Sequence, residues 1–131
     1  MSRSKQDQGK PRTAAESARF AYDGLDRVLH EKARLGLMTC LAGADDGLTF
    51  GELKHLCGLT DGNLNRHLRY LHEADLVVMQ KNDEGSRPQT VCALTEPGRQ
   101  KFTNYLAELQ RVLMDAQSRI ETSGRLSVDG A

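Results

Sequence analysis

Three residues, Gly58, Leu59 and Thr60, most constrain how this chain can fold. They separate two short amphipathic segments, each with its own boundary signals. Before the break, Thr49-Phe50-Gly51-Glu52 has the form of a capping box: the Thr49 hydroxyl accepts from the Glu52 amide, and the Glu52 carboxylate reaches back to the Thr49 amide. Phe50, Leu53 and Leu56 follow at i, i+3, i+6 as an apolar stripe, and Gly58 stops the helix. After the break, Thr60 or Asp61 caps a helix running to about Ala74. Turning ~100° per residue puts Leu64, Leu68 and Leu71 on one face. The opposite face carries Gly62, Asn63, Arg66, Arg69, Tyr70 and Glu73, with Asn65 on its flank.

Two short helices joined by a short Gly-containing turn form a helix-turn-helix. The outward face of the second helix has the residue types that major-groove readout uses. Arg can pair with guanine O6 and N7, and Asn with adenine N6 and N7. A plain solvated helix face also carries Arg and Asn, and on this face alone the two readings weigh about equally. Next come two β-prone runs, Leu76–Lys81 and Thr90–Leu94, joined by NDEGSRPQ. This is a hairpin set directly after the groove-facing helix, in the place of a wing. Arg87 at its tip and Lys81 on its first strand suit phosphate or minor-groove contact. Asp83 and Glu84 at the same tip oppose it.

The flanks read as follows. Residues 1–13 are a polar arm, with Arg3, Lys5, Lys10 and Arg12 against Asp7, too poor in apolar side chains to order themselves. Residues 14–22 form a short helix ending near Gly24. Leu25 to about Gly43 is a helix buried on most sides, carrying Leu35, Leu37, Met38, Cys40, Leu41 and Ala42. Ala44–Leu48 is a turn. Thr95 caps a last helix in which Phe102, Leu106, Leu109, Leu113, Ala116 and Ile120 repeat at alternating spacings of four and three. That is a heptad seam, widened by Tyr105 and Val112. One small domain cannot cover all of it, so the seam, together with Phe20, is expected to form a homodimer interface. The alternative is a helix folded back on its own domain. The tail from Thr122 is rich in Ser and Gly and is expected to fray. The expected layout is an arm at 1–13, a DNA-binding domain at 14–96, a dimerisation helix at 97–121 and a flexible tail at 122–131. The fold class is mainly α with a small β-hairpin: a winged helix-turn-helix with extra N- and C-terminal dimerisation helices.

Composition narrows the function. Eighteen Lys and Arg balance eighteen Asp and Glu, which excludes binding of nucleic acid by bulk positive charge and predicts weak non-specific binding. Aromatics are 5% with no Trp, too few for a base-stacking platform. No run approaches a membrane span and the start lacks a signal-peptide core, so a soluble cytoplasmic protein without a membrane partner is expected. Cys40, Cys57 and Cys92 have neither framework nor CxxC spacing and read as small packed side chains. His30, His55, His67 and His72 with Cys57 do not form a ligand set by spacing, and no metal or cofactor is expected. Phosphate-binding Gly loops, HExxH and GxSxG are absent, so an enzyme is not expected.

GLTDGNLNRHLRYLHEADLVV at Gly58–Val78 resembles the helix-turn-helix of the bacterial MarR/ArsR-type winged-helix transcription regulators. LTEPGRQKF at Leu94–Phe102 resembles the start of their post-wing helix. LDRVLHEKARLGLMTCL at Leu25–Leu41 is similar to the first helix of the small winged helix DNA-binding domain subfamily. The likeness runs from about Leu25 to Leu113. It implies a homodimer on double-stranded DNA, with the Asp61–Ala74 helix in the major groove and the terminal helices at the interface. Carried over by position, Thr60, Asp61, Gly62, Asn63, Asn65, Arg66 and Arg69 fall on groove-facing or backbone-contacting positions and Arg87 on the wing tip; with Lys81, read from its own place on the first strand, they are the expected DNA-binding residues. The expectation is a sequence-specific regulator, a repressor by preference, on a pseudo-palindromic operator, with room for a small-molecule effector at the dimer seam. A metal- or thiol-responsive ArsR-like sensor and a winged-helix protein-interaction module are the alternatives. Asn65 stands where this group often has Ser. Asp75 stands where it commonly has Gly, and Asp tolerates the positive φ that such a position requires better than most residues.

Overall fold

A computed structural model describes residues 17–83 and 85–130, with side chains as far as Gly124. The elements are α1 Lys32–Ala42, β1 Leu48–Thr49, α2 Phe50–Cys57, α3 Asp61–Glu73, β2 Val77–Asn82, β3 Gln89–Leu94 and α4 Glu96–Gly130. Gly24–Arg111 is one compact unit. The described parts of Met1–Asp23 and Val112–Ala131 make up a second.

The local signals act as their chemistry requires. Glu52 N donates to Thr49 Oγ1 at 3.1 Å, and Thr49 N donates to Glu52 Oε1 at 2.8 Å, closing the capping box of α2. Such a cap is worth about 1 kcal/mol. Gly58 ends α2 at φ 63, ψ 42, the left-handed region that suits glycine. Thr60 caps α3 by accepting from Asn63 N at 3.2 Å. Asp75 leaves α3 at φ 63, the conformation expected of it.

The three strands form an antiparallel sheet in the order β1-β3-β2. In register, Val77 faces Leu94 and Asn82 faces Gln89 across the hairpin, while Leu48 faces Cys92. β1 lies where a turn was expected through Leu48. Two residues carry no periodicity, and only pairing with β3 makes them a strand. The hairpin turn is shorter than the expected eight-residue link, because Asn82 and Gln89 join the ladder.

The core of the larger unit draws on every layer: Leu37, Met38 and Leu41 of α1, Leu53 of α2, Leu64, Leu68 and Leu71 of α3, Val77 and Cys92 of the sheet, and Phe102 and Tyr105 of α4. Several expectations are corrected here. The helix expected from Leu25 begins at Lys32. Asp26 Oδ1 accepts from Val28 N at 2.8 Å and Glu31 Oε1 from Arg34 N at 2.9 Å, so two acid caps break the segment into one turn and a helix. Leu56 is 59% exposed, because at ~100° per residue position i+6 has swung ~120° away from Phe50. Phe102, placed on the seam from its spacing, is instead 4% exposed within the unit's own core. Its ring stacks 6.3 Å from that of Tyr105, so it serves the fold.

In the second unit, residues 17–22 form a turn and an irregular stretch, not the expected N-terminal helix, with Ala18 at φ 57 and Tyr22 at φ 51. Side-chain bonds hold this shape. Tyr22 Oη donates to Asp115 Oδ2 at 2.7 Å and Arg19 pairs with Asp115 at 3.4 Å. The guanidiniums of Arg19 and Arg119 lie 4.7 and 5.3 Å from the Phe20 ring centre. α4 continues as helical backbone through residues 122–130, where fraying was expected. The expected polar arm, and residues 14–16 of the expected first helix, lie outside the described residues. No described helix is long and apolar enough to cross a membrane.

Candidate nucleic-acid interface

α3 splits into two faces as its sequence pattern demands. Leu64, His67, Leu68 and Leu71 are buried, while Asp61, Gly62, Asn63, Asn65, Arg66, Arg69 and Tyr70 are exposed. The leucines fix the helix against the core and so fix the outward direction of the Asn and Arg side chains. Arg66 Nη2 donates to Asn63 Oδ1 at 3.3 Å, so the two residues form one exposed unit. Thr60 uses an oxygen lone pair in its cap, which leaves its O–H free to donate to a phosphate. A Cβ at Gly62 would meet nothing within 4 Å, so the fold itself does not require a glycine there. Lys81 is exposed on β2, and Arg87 is exposed in the hairpin turn.

Two contributors were not legible in the sequence. Lys54 of α2 reaches Asp61 with Nζ–Oδ1 at 2.9 Å, offsetting the one carboxylate at the start of α3. Arg34 of α1 braces α3 at both the buried His67 and the exposed Tyr70. Its Nε donates to the Val28 carbonyl at 2.6 Å, its Nη1 donates to His67 Nδ1 at 3.2 Å, and its guanidinium lies 4.7 Å from the centre of the Tyr70 ring. Both contacts join different helices, and no spacing within either segment announces them.

His67 is 5% exposed. Burial pushes its pKa below the ordinary 6.5; Glu31 at 3.8 Å opposes this, while Arg66 and Arg34 reinforce it. The direction agrees with the geometry, because an imidazole accepting from Arg34 must be neutral at Nδ1. The unfolded chain therefore takes up this proton at a higher pH than the folded one. Stability is fully present above about pH 6.5 and is lost as the pH falls from there toward the folded value. Urea unfolding from pH 7.5 to 5.5 should show this loss. His67→Gln should flatten the slope, and an equal slope in that variant would remove His67 as its source.

Among the described residues, no group of three or more His, Cys, Asp or Glu side chains could hold a metal ion. Cys92 is fully buried, and burial pushes its thiol up to about 11.

A leucine-anchored helix behind a short turn, with Asn and Arg outward and a β-hairpin following, defines a winged helix-turn-helix protein. Residues 33–113 match the winged helix DNA-binding domain family, and the chain belongs to it. It is 32% identical over 83 residues to the uncharacterized protein MJ0432 of Methanocaldococcus jannaschii, covering 63% of this chain and 89% of that one. The structure of a transcriptional regulator homologue from Pyrococcus horikoshii superposes with a TM-score of 0.64 at 30% identity, over 68% of this chain and 87% of that one. A Staphylococcus aureus MepR–DNA complex shares the fold with a TM-score of 0.58 at 17% identity, over 84% and 92% of the two chains. The fold is that of the MarR-type regulators, and the family is one of winged helix DNA-binding domains.

Proposed function

We propose that the protein is a sequence-specific regulator of transcription, a repressor, that binds double-stranded DNA as a homodimer with α3 in the major groove. The observation that carries this is the outward set Asn63, Asn65, Arg66 and Arg69, held by Leu64, Leu68 and Leu71 behind it. Asn63, Asn65 and Arg66 read base edges. Thr60, Arg69, Lys81 and Arg87 contact the sugar–phosphate backbone, which sets register rather than sequence. Asp61 and Gly62 line the approach at the start of the helix. Family membership supports this reading, as does the DNA-bound state of the S. aureus MepR relative. The interaction-module alternative is weaker, because Tyr70, the one large apolar side chain on the outward face, is already partnered by Arg34.

The dimer reading rests on α4. It continues beyond the larger unit with Leu113 at 52% and Ile120 at 68% exposure, and Leu106, one heptad before Leu113, is exposed too. Ala116 lies on the same seam, and Phe20 is exposed in the same unit as Leu113 and Ile120. Leu109 is half-buried against the protomer core, so it serves both fold and seam. Replacing Leu106 and Leu113 together with Glu is expected to give folded monomers, because paired chains would bury four carboxylates. Sedimentation showing an intact dimer would remove this seam.

The whole reading is tested by selection from a random-sequence duplex pool with the full chain. The expected product is a pseudo-palindrome with half-sites about 10 base pairs apart. No enrichment by a folded dimer would end the proposal.

A further inference from the structure

Cys40 on α1 and Cys57 at the end of α2 meet with their Sγ atoms 3.8 Å apart. Both thiols are free and half-buried. Gly36, one turn before Cys40, lies beside the pair: a Cβ there would stand 3.8 Å from Cys57 Sγ, an ordinary van der Waals contact. The pair opens onto a groove of about 590 Å³, also lined by Lys32, Gly36, Thr39, Leu56 and Leu59. Cys92, fully buried on the central strand, shares none of this access.

We propose that Cys40 and Cys57 are a reversible dithiol–disulfide couple, closed by exchange with a small disulfide, that ties α1 to the C-terminal end of α2. The sulfurs are already in contact, and rotation about the two Cα–Cβ bonds is the motion that brings them to bonding distance. The Cys40 thiolate attacks one sulfur of the small disulfide. Its S–S bond breaks, and the departing thiolate takes a proton. Cys57 then gives its proton to solvent and attacks Cys40 Sγ. The mixed disulfide breaks, and a second small thiolate leaves and is protonated. Two protein thiols and one small disulfide thus become one protein disulfide and two small thiols. The protein is oxidised by two electrons, and the small disulfide is reduced by the same two.

The order of attack follows from the surroundings. Burial, with the hydrogen bond to Cys40, pushes the Cys57 thiol up to about 11. Cys57 is therefore protonated at neutral pH and suits the second step, where proximity replaces thiolate abundance. The bond would sit just before the Gly58–Thr60 turn that sets α3. It stands on the α1–α2 contact alone and holds whether or not α3 reads DNA.

The test uses the full chain with oxidised glutathione, followed by acid quench, denaturation, alkylation and intact mass. Of the three thiols in the sequence, only Cys92 should remain alkylatable, so the chain should carry one alkyl group and lie about 2 Da below the mass of a reduced chain with a single alkyl group, with a Cys40–Cys57 link in the peptide map. Dithiothreitol should restore all three. Cys57→Ser should instead keep glutathione on Cys40, because the second step is gone. Three alkylatable thiols in the wild type, a glutathione adduct that never closes, or a link found only between chains would each overturn the proposal. The wild-type measurement decides even if a variant fails to fold.

Discussion

Arg66→Ala is expected to weaken binding to the selected operator by roughly ten- to hundredfold while leaving binding to unrelated duplex nearly unchanged. A paired hydrogen bond to a base edge is worth about 1–3 kcal/mol of discrimination, and each 1.4 kcal/mol is a factor of ten. The Arg66 side chain is exposed and contributes nothing to the core, so helix content and thermal midpoint should stay at wild-type values. Its contact with Asn63 at 3.3 Å adds a second consequence. Without Arg66, Asn63 loses the group that orients it, so discrimination should relax at neighbouring base positions as well. Arg66→Lys separates charge from geometry, since it keeps the cation and loses the planar fork. It should bind random duplex like the wild type and the operator almost as poorly as Ala. Mobility-shift titration at one fixed salt concentration gives both numbers. Unchanged operator affinity for Arg66→Ala would take the outward face of α3 out of base readout.

The second large effect is on stability. Gly98 sits buried in the first turn of α4, where a Cβ would overlap the backbone carbonyl of Leu76. The start of α4 is pinned there from several directions. Thr95 N donates to the Leu76 carbonyl at 3.0 Å, Thr95 Oγ1 donates to the Asp75 carbonyl at 2.7 Å, and Gly98 N donates to Thr95 Oγ1 at 2.8 Å. The obstacle is backbone, so no side chain can rotate away, and the helix must lift off the α3–β2 junction. Gly98→Ala should therefore cost about 3 kcal/mol, the upper end of overpacking, and lower the thermal midpoint by roughly 10 °C. Gly51→Ala in α2 is the control, since a Cβ there meets nothing within 4 Å. It should be neutral or slightly stabilising, because Ala is the better helix former. If the two variants melt alike, the close approach at Gly98 is not what holds α4 in place.

Much of the candidate site was legible because its determinants are local. The cap at Thr60, the stop at Gly58 and the leucine spacing of α3 each act within one or two helical turns, and together they place Asn63, Asn65, Arg66 and Arg69 outward. Lys54 and Arg34 were not legible, because each acts across a helix–helix contact. The seam of α4 shows the same division. Its heptad spacing is a property of one helix, but Phe102 went to the protomer core because Tyr105 and the rest of that core stand beside it.

The sequence alone determined where helices α2 and α3 start and stop, which side of α3 is buried, and that a hairpin follows. These depend on hydrogen bonds and steric limits between residues a few positions apart. The tertiary structure alone decided that Leu48–Thr49 is a strand, that the chain breaks at Glu31, that Cys40 meets Cys57, and that Gly98 touches Leu76. Those outcomes depend on which surfaces meet after the elements form, and the residues that meet are distant in the chain, where neither spacing nor propensity carries information about them.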